Sequence, residues 1–287
     1  MSRIGITGAA GYLGKQIVSL LMNRGIDVVP LVHSKKKDSE IVCDLTNPEM
    51  VYDVIDENNI GIIIHCAASV PKKWAEYDNG GNYQRNVEML KNICQLSLKR
   101  VIFCSSMSVY GENAEGMLEE DMLAIQSNAY ARSKIDGEKW LHESNQKNFV
   151  IARLPGLFGA GRSNGLIFNV INSLLENKLP ELEQKPPAWS AIHVNDAAEL
   201  LSRLAILNMP IRTTCNIGYG MPQSIVRLVN DLIALMKLEG ITLPYMRDNW
   251  VCQNINRQLR YVGYAPNHWY QRLTEEIRIM ESLKCSL

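Results

Sequence analysis

Apolar residues in the first half of the chain occur either in short runs or at helical spacing. The segments RIGIT, DVVPLV, GIIIHCAA and RVIFCSS are rich in apolar and β-branched residues, which indicates buried strands, and EIVCDL is a weaker strand. Between them the spacing predicts helices over Lys15–Arg24, near Pro48–Asn58 and over Tyr83–Leu98. This alternation predicts an α/β fold, a Rossmann-type doubly wound parallel sheet.

The second half of the chain has a less regular pattern. VIARLP and CNIG predict two further strands, and Gly165–Asn177 predicts a helix. LPELEQKPPAW is a polar, proline-rich connection. The tail from Met221 is mainly helical and ends in an amphipathic helix at about Trp269–Leu283. Asp196 is expected to cap the helix that follows it.

Two domains are predicted from this change in pattern. Residues 1–160 form a dinucleotide-binding domain, to which residues 192–220 return. Residues 161–191 and 221–287 form a smaller C-terminal domain that we expect to bind the substrate.

The segment GITGAAGYLG connects the first strand to the first helix. Glycines at such a turn let phosphates approach the backbone, and amides at a helix start attract them. A tight strand-to-helix turn without a ligand has the same glycines. The position at the first βα unit, with the helix starting near Tyr12, favours a dinucleotide. The candidate cofactor-binding residues of this turn are Gly8, Gly11, Tyr12, Leu13 and Gly14.

The end of the second strand carries the sequence VHSKKK, residues 32–37. An acidic residue at this position binds the ribose 2′-hydroxyl of NAD, and the stretch has none. His33, Ser34 and Lys35 suit a 2′-phosphate, so NADP(H) is favoured over NAD(H). The alternative is that Lys35–Lys37 form a solvated loop.

The segments CSSMSVYG and YARSK contain a serine, a tyrosine and a lysine suited to proton transfer. Tyr130 and Lys134 are four residues apart, so they share one face of a helix. A neighbouring ammonium favours the tyrosinate and lowers the tyrosine pKa from its free value of about 10. Ser106 can hydrogen-bond the reacting oxygen. A chance YxxxK pattern on a surface helix is the alternative.

Taken together, the ordered motifs make the chain resemble the extended short-chain dehydrogenases/reductases, also called the NAD-dependent epimerase/dehydratase family. The resemblance runs nearly end to end through TGAAGYLG, CDL, HCAAS, RNVEMLKNI, SSMSVYG, YARSK, RLPGLFGAG, IHVNDAAELL, NIGYG and LRYVGYAP. It implies catalytic roles for Ser106, Tyr130 and Lys134. It also implies a set of further contacts: with the cofactor, Asp44, Leu45, Cys66, Ala67, Ala68, Tyr130, Lys134 and Pro155, and with the substrate, Ser69, Ser106 and Ser108. Arg162 is a further candidate for substrate binding.

The resemblance implies a nucleotide-diphosphate sugar as substrate, with redox chemistry at C4 of the sugar. Dehydratases of the family have Thr-Asp-Glu around the serine, where this chain has Ser106-Met107-Ser108. The epimerase-reductase that makes GDP-fucose has a cysteine at the position of Ser108. The expected activity is therefore reduction of a 4-keto-6-deoxy sugar, and the alternative is NAD-dependent 4-epimerisation.

Two departures from the family pattern concern the substrate diphosphate. Many members have an asparagine where this chain has Gly156, and an arginine where it has Trp189. Arg162, Arg257 or Arg260 can take over the phosphate contact. A smaller carbonyl substrate, or a sugar on another carrier, stays open.

Composition narrows the partners and the location of the protein. Equal numbers of basic and acidic residues give a net charge of zero, so nucleic acid is not an expected partner. No apolar run is long enough for a membrane span, and strand sequence from Arg3 leaves no room for a signal peptide. The scattered cysteines indicate reduced thiols in a cytoplasmic protein, and no histidine spacing suggests a metal site.

The family resemblance further implies a homodimer through two helices, Tyr83–Leu98 and Tyr130–Glu143. Their apolar positions also fit an ordinary core; they are Val87, Leu90, Ile93, Ile135 and Leu141. A non-catalytic NADP-binding regulatory protein is the hypothesis from a different class. Such relatives lose the tyrosine and the lysine, whereas this chain retains Tyr130 and Lys134.

Overall fold

The computed structural model describes residues 3–34, 37–70 and 80–285. Its strands are β1 Arg3–Thr7, β2 Val28–Val32, β3 Ile41–Val42, β4 Ile60–His65, β5 Arg100–Ser106, β6 Gly116–Leu118, β7 Phe149–Leu154, β8 Gly156–Phe158, β9 Ala191–His193, β10 Arg212–Asn216 and β11 Val251–Gln253. Its helices are α1 Tyr12–Asn23, α2 Pro48–Glu57, α3 Gly80–Cys94, α4 Ala129–Glu143, α5 Leu166–Leu175, α6 Val194–Ala205, α7 Ile225–Met236, α8 Asn256–Val262 and α9 Trp269–Cys285.

A seven-stranded parallel sheet organises the described chain. Its order is β10-β7-β5-β4-β1-β2-β3, and every pair of neighbours is parallel. The strand order reverses between β1 and β4, so their carboxyl ends border the crevice where ligands bind in such sheets. The predicted α/β fold with a doubly wound Rossmann-type sheet is confirmed.

Both faces of the sheet are covered, as the continuous apolar strands predict. Adjacent residues of β4 point to opposite faces of the sheet and pack in different core clusters. Ile64 packs in the first cluster, with residues of α1 and α6, and Ile63 packs in the second, with residues of α2, α3 and α4. The positions named for a dimer interface lie largely inside the chain's own core, since Leu90, Ile93 and Leu141 belong to the second cluster.

A third apolar cluster lies beyond the sheet, mostly in residues that the sequence assigns to the smaller domain. Helices α5, α7 and α9 form most of it, and Phe158, from the residues assigned to the first domain, joins it with its ring centre 5.6 Å from that of Trp269. Two small parallel sheets, β6–β11 and β8–β9, connect this region to the rest. The sequence pattern did not predict these short strands, because each has only three residues and pairs with a distant segment.

Several predicted boundaries and one predicted cap differ from the structure. Helix α1 begins at Tyr12, as expected from the glycine turn, and so extends beyond the start of the apolar pattern at Lys15. Helix α3 ends at Cys94 rather than Leu98. Beyond Cys94 the chain turns so that Leu96 and Leu98 can pack against the second cluster. His193, not Asp196, caps α6 by accepting from the amide of Asn195.

The described residues contain free cysteines and no candidate membrane-spanning helix or metal site. Six cysteines are free, five of them buried and Cys66 half-buried. No described helix has the length and apolar character that a membrane span requires. No group of acidic, histidine or cysteine residues suited to a metal ion occurs among the described residues.

Candidate active site

The glycine turn after β1 forms a cradle that side chains would fill. Gly8 has a φ of +65°, and a Cβ atom there would lie 2.9 Å from the amide nitrogen of Ala67. A Cβ on Gly11 would lie 2.9 Å from the carbonyl oxygen of Gly8, and one on Gly14 would collide with the same oxygen. No side chain caps α1, so its first amides are open toward the crevice.

A cavity of about 370 Å³ extends from this turn along the carboxyl ends of β1, β2 and β4. It brings together many of the residues predicted from sequence to bind a cofactor, and one predicted to bind substrate. These residues are Gly8, Gly11, His33, Asp44, Leu45, Cys66, Ala67, Ala68 and Ser69. The remaining lining residues were not predicted: Leu31, Val32, Cys43, Thr46, Arg85 and Met89.

Asp44 is the fixed negative charge of the cavity. Its Oδ1 accepts hydrogen bonds from the amide and the hydroxyl of Thr46, at 3.0 and 2.8 Å. These bonds, and the charges of His33 and Arg85, hold the pKa of Asp44 below its usual value. Asp44 is therefore ionised at neutral pH and can accept from a ligand amine or hydroxyl.

Arg85 is the basic residue of the cavity that sequence reasoning missed. It lies on α3 directly before Asn86, one turn from Met89, so Arg85 and Met89 share the helix face toward the cavity. The guanidinium is exposed, and no hydrogen bond or ion pair to another described residue fixes it. Its position in RNVEMLKNI, on a helix facing the strand ends, is the signal that could have indicated it.

The ends of β1 and β4 are tied together by buried polar contacts. The Oγ1 atom of Thr7 accepts from the amide of Ala67 at 3.2 Å and lies 2.9 Å from Nδ1 of His65. Burial, with a smaller effect of the Lys134 charge, lowers the pKa of His65 to about 3. His65 is therefore neutral at pH 7, and its role is to fix the backbone that lines the cavity.

Lys134 is buried at the other end of this row of strand termini. Its Nζ donates to the carbonyl oxygen of Cys104 at 2.9 Å and lies 5.7 Å from the ring centre of Tyr130. Cys104 in turn places its Sγ 3.6 Å from the Sγ of Cys66, which lines the cavity. Burial lowers the pKa of Lys134 to about 8, against the opposing effects of Cys104, Cys66 and Glu138.

Ser106 and Ser108 lie where β5 ends and a 3-10 turn, Met107–Tyr110, begins. The Oγ of Ser106 accepts from the amide of Ser108 at 3.2 Å, which leaves its hydroxyl proton available. The Oγ of Ser108 is buried and has no hydrogen-bond partner among the described residues. A buried hydroxyl without a partner is costly, so Ser108 has an unused donor and acceptor at this position.

Ser69 is held in place by asparagines of α3. Its amide donates to Oδ1 of Asn86 at 2.6 Å, and its hydroxyl donates to Oδ1 of Asn82 at 2.6 Å. The Nδ2 of Asn86 donates to the carbonyl oxygen of Ser69 and lies 3.4 Å from the hydroxyl of Ser133 on α4. The family asparagine in RNVEMLKNI thus joins the cavity edge to the helix that carries Tyr130.

A second, smaller cavity of about 160 Å³ lies between β8, β9, α5 and α9. Its lining includes Gly156, Trp189 and Arg162 together with the carboxylate of Glu276. A Cβ on Gly156 would lie 3.9 Å from Nε1 of Trp189, so the two departures from the family pattern are neighbours. The guanidinium of Arg162 lies 5.1 Å from the ring centre of Tyr12.

Four further residues predicted to bind the cofactor, Tyr12, Leu13, Ser34 and Pro155, do not line the larger cavity. Tyr12 donates from its hydroxyl to the carbonyl oxygen of Gly159, and the side chain of Leu13 packs in the core. Pro155 is buried and Ser34 is exposed. Lys35 lies outside the described residues.

The other arginines proposed for phosphate binding have different surroundings. Arg257 pairs with Asp121 at 3.0 Å and lies 3.6 Å from a carboxylate oxygen of Glu120. Arg260 lies 5.7 Å from the ring centre of Tyr261. Of these three arginines, Arg162 is the one that lines the smaller cavity.

Comparison with known proteins agrees with this geometry. The model of the NAD dependent epimerase/dehydratase family matches residues 4–218. UDP-glucose 4-epimerase of Bacillus subtilis is 25% identical over 84% of this chain and 83% of that protein. dTDP-4-dehydrorhamnose reductase of Aggregatibacter actinomycetemcomitans is 28% identical over 57% of this chain and 54% of that protein. The structure of MoeE5 in complex with UDP-glucose and NAD has a TM-score of 0.77 at 22% identity, over 98% of this chain and 100% of that one, which establishes the shared fold.

Proposed function

We propose a reaction for this chain from the premise that it belongs to the NAD dependent epimerase/dehydratase family. It is an enzyme of the short-chain dehydrogenase/reductase type. The proposed activity is NADP(H)-dependent reduction of the C4 carbonyl of a nucleotide-diphosphate sugar, with a 4-keto-6-deoxy sugar as the favoured class. The observation that carries the proposal is the buried ammonium of Lys134, beside Tyr130 and next to the cavity at the switch point of the sheet.

The residues of the larger cavity suit a dinucleotide. The glycine turn offers open helix amides to a pyrophosphate, at a place that a Cβ atom on Gly8 or Gly11 would close. Asp44 and Leu45 line the same cavity, where they would contact the adenosine of the dinucleotide. Cys66, Ala67 and Ala68 line the edge of the cavity at β4. When bound, a reduced nicotinamide supplies a hydride to the carbonyl carbon.

The proposed role of Tyr130 is to give a proton to the oxygen at C4 as the carbonyl is reduced. The ammonium of Lys134 stabilises the tyrosinate that proton donation leaves on Tyr130, and its hydrogen bond to Cys104 fixes its position. Ser106 donates its free hydroxyl proton to the same oxygen and orients it. Ser108 offers its unpartnered hydroxyl to a neighbouring sugar hydroxyl.

The preference for NADP(H) is also part of the proposal. His33 lines the cavity without a carboxylate beside it in the VHSKKK segment, and Arg85 faces the same cavity from α3. A 2′-phosphate carries negative charge that a guanidinium binds through charge-assisted hydrogen bonds. Arg85 therefore supports NADP(H) independently of Lys35.

Replacing Arg85 with alanine is expected to raise the Kd for NADPH by about tenfold or more, because one charge-assisted contact contributes roughly 1.5–3 kcal/mol. The Kd for NADH should change less than about threefold. Equilibrium titration by cofactor fluorescence measures both constants. Lys91→Ala, on the same helix, is the matched control and should change neither; equal losses for both cofactors would contradict the role of Arg85.

The second candidate function is 4-epimerisation with a retained cofactor. The observation that favours this function is the extent of sequence similarity. The UDP-glucose 4-epimerase of Bacillus subtilis matches 84% of this chain, whereas the dTDP-4-dehydrorhamnose reductase matches 57%. An epimerase converts its substrate without net use of NADPH, whereas a reductase uses one NADPH for each product. Turnover of a panel of 4-keto and 4-hydroxy sugar nucleotides, followed by NADPH absorbance and product analysis, separates the two.

Substrate binding is assigned by this proposal to the smaller domain, residues 161–191 and 221–287. Arg162 is the candidate phosphate contact, because Gly156 and Trp189 offer no charge to a diphosphate. A homodimer through the outer faces of α3 and α4, where Trp140 is 43% exposed, completes the proposal. Sedimentation of the purified protein tests the dimer. The hypothesis of a non-catalytic regulatory protein predicts a different result in the turnover assay: the protein would bind NADPH and convert no sugar nucleotide of the panel.

A further inference from the structure

A buried ion pair lies one helical turn beyond Lys134. Arg153 on β7 donates to the carboxylate of Glu138 on α4 through Nη2 at 2.7 Å and through Nε at 3.0 Å. The side chains are 6% and 8% exposed, so the pair is almost entirely removed from water. Nη1 of Arg153 also donates to the hydroxyl of Tyr110 and to the carbonyl oxygen of Glu120, both at 3.0 Å.

The carboxylate of Glu138 also binds the strand that carries the proposed catalytic serine. Its Oε1 accepts from the hydroxyl of Ser105 at 2.5 Å. Ser105 lies between Cys104, whose carbonyl oxygen binds Lys134, and Ser106. Glu138 therefore binds β5 at Ser105, the residue between Cys104, which binds Lys134, and Ser106.

The spacing along α4 places Glu138 on the face that carries the reacting groups. Tyr130, Lys134 and Glu138 follow one another at intervals of four residues, so their side chains lie on one side of the helix. An ion pair that joins α4 to β7 and β5 on this face fixes how far the helix stands from the strand ends. Small displacements of proton-transfer groups lower rates strongly.

Stability alone does not account for the pair. Replacing a buried ion pair by apolar side chains of similar volume is often neutral or stabilising, because both charges must be desolvated. We propose that Glu138 is a positioning residue, which fixes the Tyr130–Lys134 face against Ser106 and keeps a negative charge behind Lys134. This inference rests on the proposed function.

The charge of Glu138 acts on Lys134 among several other groups. The groups that face Lys134 are Cys104 on β5, His65 and Cys66 at the end of β4, and Tyr130 and Glu138 on its own helix. Burial lowers the pKa of Lys134, and the carboxylate of Glu138 raises it. Loss of this carboxylate would leave Arg153 as an unpaired positive charge and lower the pKa of Lys134 further.

Glu138→Gln tests the proposal through the pH dependence of kcat/KM with NADPH saturating. We expect kcat to fall about tenfold, as misplaced reacting groups predict, and the alkaline limb to move to lower pH. In the double variant Glu138→Gln/Arg153→Gln both charges are absent, so the limb should return toward that of the wild type while kcat stays low. The NADPH Kd should stay within about threefold of the wild type in folded variants, since neither residue lines the cavity.

Two further variants separate the effects of charge and position. Glu143→Gln is the control, because it removes an exposed carboxylate from the same helix. Neither its kcat nor the alkaline limb of its pH profile should change. Ser105→Ala keeps the ion pair and removes the contact to β5, so kcat should fall while the limb stays in place. This variant also carries the test if Glu138→Gln does not fold.

An unmoved alkaline limb in Glu138→Gln would overturn the electrostatic part of the proposal. A wild-type kcat in Ser105→Ala would overturn the positioning part. A wild type that binds NADPH but reduces no substrate would instead reject the proposed function on which the inference rests.

Discussion

Tyr130→Phe is expected to lower kcat by about 100-fold or more, because a positioned general acid contributes roughly 10²–10⁴ in rate. The variant loses one hydroxyl from a helix that packs against β5 and the following turn. The KM for the sugar and the Kd for NADPH should therefore change little. Steady-state kinetics and cofactor titration measure these constants on the same preparation.

The matched control for this variant is Tyr52→Phe, which removes the hydroxyl of a tyrosine that is 60% exposed on α2. Its kcat should equal that of the wild type. A Tyr130→Phe variant with activity within about threefold of the wild type would show that another group delivers the proton.

Lys134→Met is expected to abolish most activity and yet leave the fold at least as stable at neutral pH. The ammonium that favours the tyrosinate is lost, so kcat should fall by about 100-fold or more. Burying that ammonium costs free energy, as the lowering of its pKa from 10.5 to about 8 indicates. Methionine fills a similar volume without this cost, but it cannot hydrogen-bond the carbonyl oxygen of Cys104.

The pH dependence of stability follows from the direction of this shift. Below pH 8 both the folded and the unfolded wild type bind the lysine proton. Between pH 8 and 10.5 the unfolded chain still binds it and the folded chain does not, so the wild type becomes more stable as pH rises. Across this interval it should gain about 3 kcal/mol relative to Lys134→Met, at 1.36 kcal/mol for each unit of pKa.

Urea unfolding of both proteins at several pH values measures the difference. Arg212→Met, at an exposed guanidinium over the ring of Phe149, is the control and should show no such gain over the same interval. A constant difference between Lys134→Met and the wild type from pH 8 to 10.5 would mean that Lys134 keeps its ordinary pKa.

Most of the sheet could be predicted because its strands are apolar runs, and their alternation with helices indicates a parallel, doubly wound sheet. Cys66 and Asp44, at strand ends, were indicated by the resemblance of HCAAS and CDL to the family motifs, and both line the larger cavity. The strand pattern and the motifs are properties of local sequence.

The features missed from sequence depend on contacts between distant segments. β6 and β11 are three residues each and pair across more than a hundred positions. Asp196 looks like a helix cap by position, but its carboxylate accepts from Arg272 at 2.6 Å and from the hydroxyl of Tyr219 at 2.8 Å. Arg85 lines the cavity from α3, whose Leu90 packs in the same core cluster as Ile63 of β4, and the polar residues around Arg85 in the sequence do not reveal this packing.

The transfer of deuterium from NADPH that carries deuterium at both hydrogens of the nicotinamide C4 to a 4-keto-6-deoxy sugar nucleotide tests the central claim most directly. The wild type should place one deuterium at C4 of the product for each NADPH consumed, and Tyr130→Phe should do so at least about 100-fold more slowly. A protein that binds NADPH and leaves every sugar nucleotide of the panel unlabelled at C4 would contradict the account.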